Sequence, residues 1–467
     1  MTDVTGAAAG ASGAVDPGAA GGAQTAAAAG GSSGAGADLG PAATHRAIEA
    51  VWRLESARLI AGLIRVTRDV SLAEELAADA LVAALEQWPA DGVPRNPGAW
   101  LLATARHRAI DAGRREATLR RKTDELGREL PAEGAADDDE VGDDLLRLVL
   151  VACHPVLSVD ARVALTLRLV GGLTTDEIAR AFLVAEPTIA QRIVRAKRTL
   201  TEARVPFEVP GPAELPARLG SVLEVIYLVF NEGYAASSGD AWMRPGLCEQ
   251  ALRLGRITAE LVPTEPEVHG LVALMEIQAS RLRARVDALG RPVLLLDQDR
   301  TRWDQLLIRR GLAALGRAQR LGGTHGPYAL QAAIAACHAR ARRAQDTDWT
   351  RIAALYDALA MVAPSPIVEL NRGVAVAMAY GPAAGLDVVD TLLEERALAT
   401  YHLLPAVRGD LLLRLGRGAE AAAELRRAAR LTRNERERSL LLGRASAVEA
   451  TVRSGAAAVT EPKGSTS

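Results

Sequence analysis

Two short amphipathic segments joined by a tight turn, over residues 174–200, constrain the fold of this chain more than any other feature. The first opens with Thr174 and Thr175 followed by two acids, which predicts a hydroxyl cap and a helix start. Pro187 suits the first turn of a second helix. Apolar residues recur at helical spacing and are expected to face inward: Ile178, Ala179, Phe182, Ile189, Ile193 and Val194. The sequence therefore predicts a helix-turn-helix.

The second of these helices carries basic and polar residues on its open face. Arginine offers two parallel donors to a guanine edge and glutamine can pair with adenine, while the remaining cations would contact phosphates. The alternative is a basic helix that only solvates its charges, and the compact turn pattern argues against it. The residues expected to contact duplex DNA are Thr188, Gln191, Arg192, Arg195, Lys197 and Arg198.

The composition of the chain favours close-packed helices. Apolar residues make up 49% of the 467 residues but aromatic residues only 3%, so the core is built mainly from Ala, Leu and Val. Sandwiches and barrels usually hold more β-branched and aromatic residues. No apolar run approaches the roughly 20 residues of a membrane span, and the N-terminus lacks the pattern of a signal peptide. We therefore expect an all-α, cytoplasmic protein that does not contact a membrane.

Shifts in composition divide the chain into six segments. Ala- and Gly-rich sequence without apolar periodicity predicts disorder, and a run of acids without such periodicity predicts a linker. Prolines between 206 and 216 mark a further boundary. The expected segments are a disordered tail over 1–43, a helical block over 44–122, an acidic linker over 123–143, the helix-turn-helix block over 144–204, a helical-repeat domain over 217–450 and a disordered tail over 451–467.

The block over 44–122 is expected to contain three helices. The second starts at Ser71 as N-cap, with Glu74 completing a capping box, and ends at Pro89. A short loop then leads to a third helix, which begins near Gly98 and continues into a stretch rich in arginine. This block thus places an acidic helix and a basic helix next to each other in the chain.

Two segments of this block resemble a known family. Residues 72–81 resemble the acidic, apolar helix with which region 2 of sigma factors binds core RNA polymerase. Residues 96–111, followed by a pair of arginines, open with Pro-x-x-Trp-Leu and resemble the helix of that family that reads the −10 element. The helix-turn-helix resembles sigma region 4. Together they resemble the two-domain layout of extracytoplasmic-function sigma factors over 45–204.

The resemblance implies two further sets of contact residues. Those for core RNA polymerase are Glu74, Glu75, Leu76, Asp79 and Leu81. Those for the −10 strand are Arg95, Asn96, Trp100, Arg106, Arg108, Arg114 and Arg115. Two alternatives stay open: the loop 89–97 can be a Pro-rich turn with solvated side chains, and Trp100 is more readily a core residue than a stacking platform. The turn departs from the family at Leu183 and Ala185, where Gly and a capping Ser are usual.

The C-terminal half resembles tetratricopeptide repeats in two places, residues 379–386 and residues 412–428. Residues 227–234, which end in Asn-Glu-Gly-Tyr, resemble a signature of the sigma subgroup with such an extension. We interpret this segment as a helix ended by a glycine cap, with its aromatic residues packed between helices. The alternative is a contact surface against the sigma domains. Because helical repeats present extended surfaces, a protein partner of this domain is also possible.

The sequence contains no pattern typical of catalysis or of cofactor binding. It has no paired nucleophile and base, no glycine-rich phosphate loop and no metal-ligand spacing. Its three cysteines are far apart and are interpreted as packing residues: Cys153, Cys248 and Cys337. Neither enzymatic activity nor a cofactor or metal is expected.

The resemblance therefore implies a sigma factor whose activity is controlled by its C-terminal domain. Such a protein binds core RNA polymerase, recognises the −10 and −35 elements of promoter DNA and initiates transcription. The alternative is a helix-turn-helix transcriptional regulator with a ligand- or protein-sensing helical-repeat domain, which would bind duplex DNA without polymerase.

Overall fold

The structure is a computed structural model that describes residues 41–108, 138–182, 184–235 and 243–460. Apart from one isolated antiparallel bridge between Val286 and Pro292, the described residues form helices and connecting turns, which confirms the all-α fold. No helix within these four ranges is long and apolar enough to cross a membrane. The α-helices are α1 Pro41–Thr67, α2 Val70–Asp91, α3 97–108, α4 Asp138–Ala152, α5 Val159–Leu169, α6 Thr175–Phe182, α7 Glu186–Glu202, α8 Leu215–Tyr234, α9 Pro245–Leu261, α10 Pro266–Ala279, α11 Gln305–Arg320, α12 Pro327–Arg340, α13 Trp349–Val362, α14 Pro366–Tyr380, α15 Pro382–Asp390, α16 Leu403–Arg414, α17 Gly418–Leu431 and α18 Glu435–Thr460.

The described residues divide into two compact units. Apart from Ala181–Leu183, the residues up to Val222 form an N-terminal unit, and the residues from Leu223 form a C-terminal unit. In the N-terminal unit α1 packs on α2 and α4, while α5 packs on α7. Its core is mainly aliphatic, and Trp88 is buried together with side chains such as Leu63 and Leu148. Each such side chain contributes about 1.5–3 kcal/mol through burial, so aliphatic packing dominates this unit.

The start of α2 differs from the expectation because another residue caps it. The carboxylate of Asp69 accepts hydrogen bonds from the backbone N–H groups of Ser71 at 2.6 Å and Leu72 at 3.0 Å. Asp69, not Ser71, is therefore the N-cap, and the predicted capping box with Glu74 is wrong. The acidic side chain of Glu74 is consequently available for contacts outside its own helix.

The end of α2 also differs, because Pro89 lies inside its last turn. A proline there removes one helical hydrogen bond, and the remaining bonds carry the helix on to Asp91. Gly92, with a φ of +82°, then ends the helix and donates its N–H to the carbonyl of Trp88 at 2.9 Å. The prediction that Pro89 ends the helix is therefore wrong by two residues.

Three predicted segment boundaries shift because helices extend into them. Residues 41–43 belong to α1, residues 138–143 to α4 and residues 451–460 to α18, although they were expected in the tails and the linker. Once a helix is nucleated, each further residue adds a hydrogen bond at little cost, so helices propagate beyond their packed portions. Of the expected linker, residues 123–137 lie outside the described residues.

The C-terminal unit is a succession of helices that pack on their neighbours in the chain, as from α12 through α18. This is the packing that helical repeats predict. The two repeat-like turns occur where expected, between α14 and α15 and between α16 and α17. Gly385 lets the first pair approach closely, because a Cβ there would lie 2.6 Å from the carbonyl oxygen of Gly373.

The segment 227–234 forms the end of α8, and its glycine does not cap the helix. Gly233 lies within the last turn, where a Cβ would stand 2.6 Å from the backbone nitrogen of Cys248 in α9. The glycine is thus needed for close helix packing, which corrects the expected cap. The aromatic side chains are packed as predicted: Phe230 is buried and stacks on Tyr234 at 5.7 Å between ring centroids.

Candidate nucleic-acid and polymerase interfaces

The helix-turn-helix is formed by α6 and α7, and a local signal fixes its start. The hydroxyl of Thr174 accepts the backbone N–H of Glu177 at 3.1 Å, while the carboxylate of Glu177 accepts the N–H of Thr174 at 2.8 Å. This is a capping box, and it satisfies two donors at the helix start. The second helix begins after Ala185, which makes no side-chain cap, with Pro187 in the first turn. The predicted pair of helices is therefore confirmed.

The core side of α7 is made by Ile189, Ile193, Ala196 and Leu200, all buried. Val194 was expected inward but is 66% exposed, because one residue along a helix turns the side chain by about 100° away from Ile193. The opposite side is open: Thr188, Gln191, Arg195 and Arg198 are exposed and Arg192 is partly exposed.

The cations on the open side differ in how strongly they are engaged. Arg198 pairs with Glu202 at 3.3 Å on the exposed surface, and Arg192 pairs with Asp160 of α5 at 3.1 Å. Exposed pairs of this kind contribute at most about 1 kcal/mol and are readily exchanged for a phosphate. Arg195 makes no ion pair or side-chain hydrogen bond with the part of the chain that the structure describes.

Lys197 does not belong to this open side. Two residues along a helix turn the side chain by about 200°, so Lys197 points away from Arg195. Its ammonium contacts the carboxylate of Glu74 in α2, and its side chain is only 16% exposed. In this conformation Lys197 is engaged within the protein, and its contact with DNA stays a prediction.

Glu74 joins α2 to the helix-turn-helix block through two cations. One carboxylate oxygen accepts from Nε of Arg168 in α5 at 2.6 Å, and the other accepts from Nζ of Lys197 in α7. Burial alone would raise the pKa of Glu74, but the charges and hydrogen bonds of Lys197 and Arg168 outweigh it and lower the pKa below the usual 4.5. The carboxylate is therefore ionised at neutral pH, and the bridge is complete there.

The loop before α3 presents two of the predicted side chains. Arg95 is exposed, and Asn96 is the N-cap of α3 because its side-chain oxygen accepts the N–H of Ala99 at 3.1 Å. Trp100 is half-buried and meets Trp88 edge to face at 5.4 Å, which favours the core role over the stacking platform.

The basic helix α3 holds its arginines to different degrees. Arg106 is partly exposed. Arg108 donates to the backbone carbonyl of Asp79 at 2.8 Å and pairs with its carboxylate at 3.4 Å, so it is tied to α2. The other two predicted contacts, Arg114 and Arg115, lie outside the described residues.

The exposed face of α2 contains apolar residues that the sequence pattern did not single out. Leu72 and Val82 are 36% and 48% exposed and lie at helical spacing with Glu75 and Asp79, which are also exposed. Leu85 is exposed beside them. They could have been found from the sequence by assigning the buried face of the helix first and then asking which apolar residues remain outside it.

Two residues predicted to contact polymerase are less accessible than this face. Leu76 is 4% exposed and packs in the core, and Leu81 is half-buried. Of the five predicted residues, Glu75 and Asp79 lie on the exposed face and Glu74 lies in the bridge to the helix-turn-helix block.

Family comparisons cover most of the described chain. Residues 53–118 match Sigma-70 region 2, residues 147–200 match Sigma-70, region 4, and residues 218–319 match a family of unknown function (DUF6596). An uncharacterized protein of Rhizobium meliloti (strain 1021) is 44% identical over 384 residues, which cover 80% of this chain and 89% of that relative. Among solved structures, yeast Tom70 aligns over 88% of this chain and 85% of its own at 11% identity, with a TM-score of 0.29, which is too low to argue from.

Proposed function

Because this chain belongs to the sigma-70 family of RNA polymerase sigma factors, as a member of the extracytoplasmic-function type with a helical extension, we propose how its residues divide the work of promoter recognition. In this proposal α7 reads the −35 duplex, the segment 95–108 captures the melted −10 strand, and the exposed face of α2 binds core polymerase. The protein acts in the cytoplasm, where core polymerase transcribes the chromosome, and its role is binding, without a catalytic step.

The role of α7 is supported by the exposure and chemistry of its open side. A recognition helix needs side chains that can leave their solvent shell and enter the major groove, with their core side fixed. Gln191 and Arg195 meet this need, because both are exposed and form no ion pair with any described residue. We assign base contacts to these two, and phosphate contacts to Thr188, Arg192 and Arg198, which flank them.

Capture of the −10 strand is supported by the position of Arg95 and Asn96. Both are exposed where the chain enters α3, and the cap fixes the backbone of this loop. Only the oxygen of the Asn96 amide is used by the cap, so its amide nitrogen can donate to an extruded base. Arg106, with Arg114 and Arg115 further along, would contact the strand's phosphates, and Arg108 would do so only after leaving Asp79.

The polymerase contact is supported by the mixed character of the exposed α2 face. Leu72, Val82 and Leu85 expose apolar surface beside Glu75 and Asp79, which is the composition of an interface with an apolar centre and a polar rim. We assign the polymerase contact to this face in place of Leu76.

The observation that carries the proposal for regulation is the double bridge at Glu74. In this bridge the carboxylate of Glu74, next to the polymerase-binding face, pairs with Lys197 of the recognition helix and with Arg168. While the bridge holds, regions 2 and 4 stay together; binding of polymerase would release Glu74 and free region 4. The bridge thus stabilises a closed factor in the absence of polymerase, as a population shift between two states.

The test replaces Arg168, which is in the bridge but in neither proposed DNA-binding surface. Arg168→Gln should raise the affinity of the factor alone for a −35 duplex several-fold, because it weakens the closed state. Fluorescence anisotropy with labelled duplex measures this, with Arg58→Gln, an exposed arginine of α1, as the matched control. Equal affinities of the wild type and Arg168→Gln would refute the closed state, while leaving the assignments of α2 and α7 intact.

The start of the extension bonds to region 4, which favours a supporting role for the extension. Arg218 of α8 donates to the carbonyl of Leu150 at 2.8 Å, and Ser221 donates to the carbonyl of Cys153 at 2.7 Å. Arg162 of α5 donates in turn to the hydroxyl of Ser221 at 2.5 Å. We propose that the extension supports region 4 in a productive state and does not mask it.

A further inference from the structure

The most exposed large apolar side chain among the described residues of the N-terminal unit lies on α7. Val194 is 66% exposed, compared with 64% for Leu54 in α1 and 48% for Val82 in α2. Single apolar residues at a protein surface are common and need no special explanation by themselves. Val194 differs from the others in its place, because it lies on the helix that carries the proposed −35 contacts.

The geometry of α7 determines which side chains share the open side with Val194. Successive residues turn by about 100° around a helix, so Val194 lies about 60° from Gln191 around the axis. Residues three and four apart are neighbours on a helix surface, so Gln191 precedes Val194 by one turn and Arg198 follows it by one turn. Both neighbours are exposed, while Ile193 and Leu200 fix the other side of the helix in the core. Val194 therefore lies among the side chains proposed to face DNA.

The fold itself gains little from a valine at this position. A β-branched residue has a restricted side chain in a helix, and its helix propensity is lower than that of alanine or leucine. Burial against the core would compensate this cost, but most of the Val194 side chain stays in water. A partner that covers the side chain would supply the burial that the fold does not. The benefit of the valine is therefore expected in a complex.

The major groove of duplex DNA offers a recognition helix one apolar group, the C5-methyl group of thymine. Gln191 can pair with N6 and N7 of adenine, and the thymine of that base pair carries its methyl group on the same groove edge. Consecutive base pairs are about 3.4 Å apart, and neighbouring positions on a helix surface are about 5–6 Å apart. A side chain one turn from Gln191 can therefore reach the methyl group of the same base pair or of an adjacent one.

We infer that Val194 contacts the C5-methyl group of a thymine in the −35 duplex and thereby helps to determine which promoters are recognised. The inference rests on the proposed role of α7 and adds an apolar base contact to it. Gln191 and Arg195 distinguish bases through hydrogen bonds, whereas a valine favours thymine because the contact removes apolar surface of both partners from water. An apolar side chain makes no such contact with a phosphate, so the specificity lies in the base.

The test replaces thymine by deoxyuridine, which lacks only the methyl group, at each thymine of the −35 element in turn. The probe is a promoter fragment on which the full-length protein starts transcription with core polymerase. At the contacted position deoxyuridine should weaken binding of the wild-type holoenzyme about fourfold, since the burial of one methyl group is lost. Competition between the substituted and the unsubstituted fragment measures this ratio of affinities, in which any general change in binding cancels.

Val194→Ala should abolish the difference between thymine and deoxyuridine at that position, because it removes both methyl groups that make the contact. Alanine is the better helix former, so the melting temperature of this variant should not fall. The matched control is Leu54→Ala, which removes an apolar side chain of similar exposure from α1 and should keep the wild-type ratio. Arg195→Ala should weaken binding to both fragments equally and should also keep the ratio.

The inference is overturned if the −35 element holds no thymine whose methyl group affects binding, or if Val194→Ala keeps the wild-type ratio. In the second case, a weaker affinity of Val194→Ala for core polymerase would show that the valine contacts protein instead of DNA. Failure of the proposed role of α7 is recognised separately, because Arg195→Ala would then leave the affinity for the −35 element unchanged. If Arg195→Ala weakens binding and the ratio does not depend on Val194, only the thymine contact is refuted.

Discussion

The arginines of α7 and the arginines around Trp303 represent two ways of using the same side chain. Arg195 is exposed and unpaired among the described residues, on a helix whose other side is fixed in the core. Arg281 is buried and equally unpaired within the described chain, between two aromatic rings. The first suits a polyanion that approaches from solvent, and the second contacts aromatic rings inside the fold.

This difference predicts how strongly the contacts of each set of arginines depend on salt. Exposed cations bind DNA through counterion release, so their contribution falls steeply with salt. Buried cations act in a low dielectric and are screened far less, so their contribution depends on fit. Salt should therefore weaken the contacts of the exposed arginines far more than those of the buried ones.

The largest effect is expected when the whole C-terminal extension is removed. A protein ending at Arg204 loses the bonds of Arg218 and Ser221 to region 4, and transcription with core polymerase should be nearly abolished. Arg218→Met in the full-length chain should lower transcription in the same direction, with Arg309→Met, at an exposed arginine of α11, as its control. Greater activity of the truncated protein would show that the extension masks region 4, and equal activity would remove both roles.

Next in size is the loss of one base contact on the exposed side. Arg195→Ala should cost about 1–3 kcal/mol at the preferred −35 sequence and reduce discrimination at one base pair. Anisotropy titrations on the preferred duplex and on single base-pair variants measure this, with Arg58→Gln as control. If discrimination at every position equals that of the wild type, Arg195 contacts a phosphate or nothing, and its assignment as a base reader is refuted.

A smaller effect is expected at the loop before α3. Here the variants must distinguish the capping role of Asn96 from its proposed contact with a base. Asn96→Ser retains a cap oxygen but loses the amide donor, whereas Asn96→Asp retains the cap and adds a charge. Both should slow formation of the open complex several-fold while polymerase binding stays unchanged, as measured by permanganate footprinting and co-purification. Footprints of Asn96→Ser that match the wild type would mean that the residue only caps the helix.

The smallest effect on transcription at neutral pH is expected for the buried His338, which instead makes the stability of the fold depend on pH. Burial and the charges of Arg281 and Arg300 lower the pKa of His338 to about 3, from 6.5 in the unfolded chain. The unfolded chain therefore takes up the proton first, so this stability is complete above 6.5 and is lost as pH falls from 6.5 towards 3, by about 2 kcal/mol at pH 5. Thermal unfolding at pH 7 and pH 5 measures the loss, and His338→Gln should reduce it. An identical pH slope in that variant would show that His338 is not its source.

The two regions also differ in how far their sequences predict them. The helix-turn-helix could be predicted because its signals are local: the capping box at Thr174 and Glu177 lies within one turn. The role of Glu74 could not, because its partners Arg168 and Lys197 lie far along the chain. From the neighbouring sequence alone, the only role that could be assigned to Glu74 was a capping box with Ser71.

The contacts of Arg281, Arg285 and Arg300 with the rings of Tyr234 and Trp303 could not be predicted from the sequence for the same reason. These residues extend from Tyr234 to Trp303, and no periodicity links them. Arginines in a helical sequence are ordinarily assigned to solvent, and only the packing of α8 against the segment that follows α10 shows which are buried. Burial of an arginine is a property of the fold, so the structure had to reveal it.

The central claim is that the chain gives core polymerase promoter specificity through α7. Run-off transcription with purified core enzyme on genomic fragments tests it most directly, with the wild type and Arg195→Ala compared on the same template. We expect discrete start sites only when the wild-type protein and core enzyme are both present, with Arg195→Ala weakened about 10- to 100-fold at those sites. Binding of the protein to duplex DNA without any specific transcript, or transcripts equal in both proteins, would contradict the account.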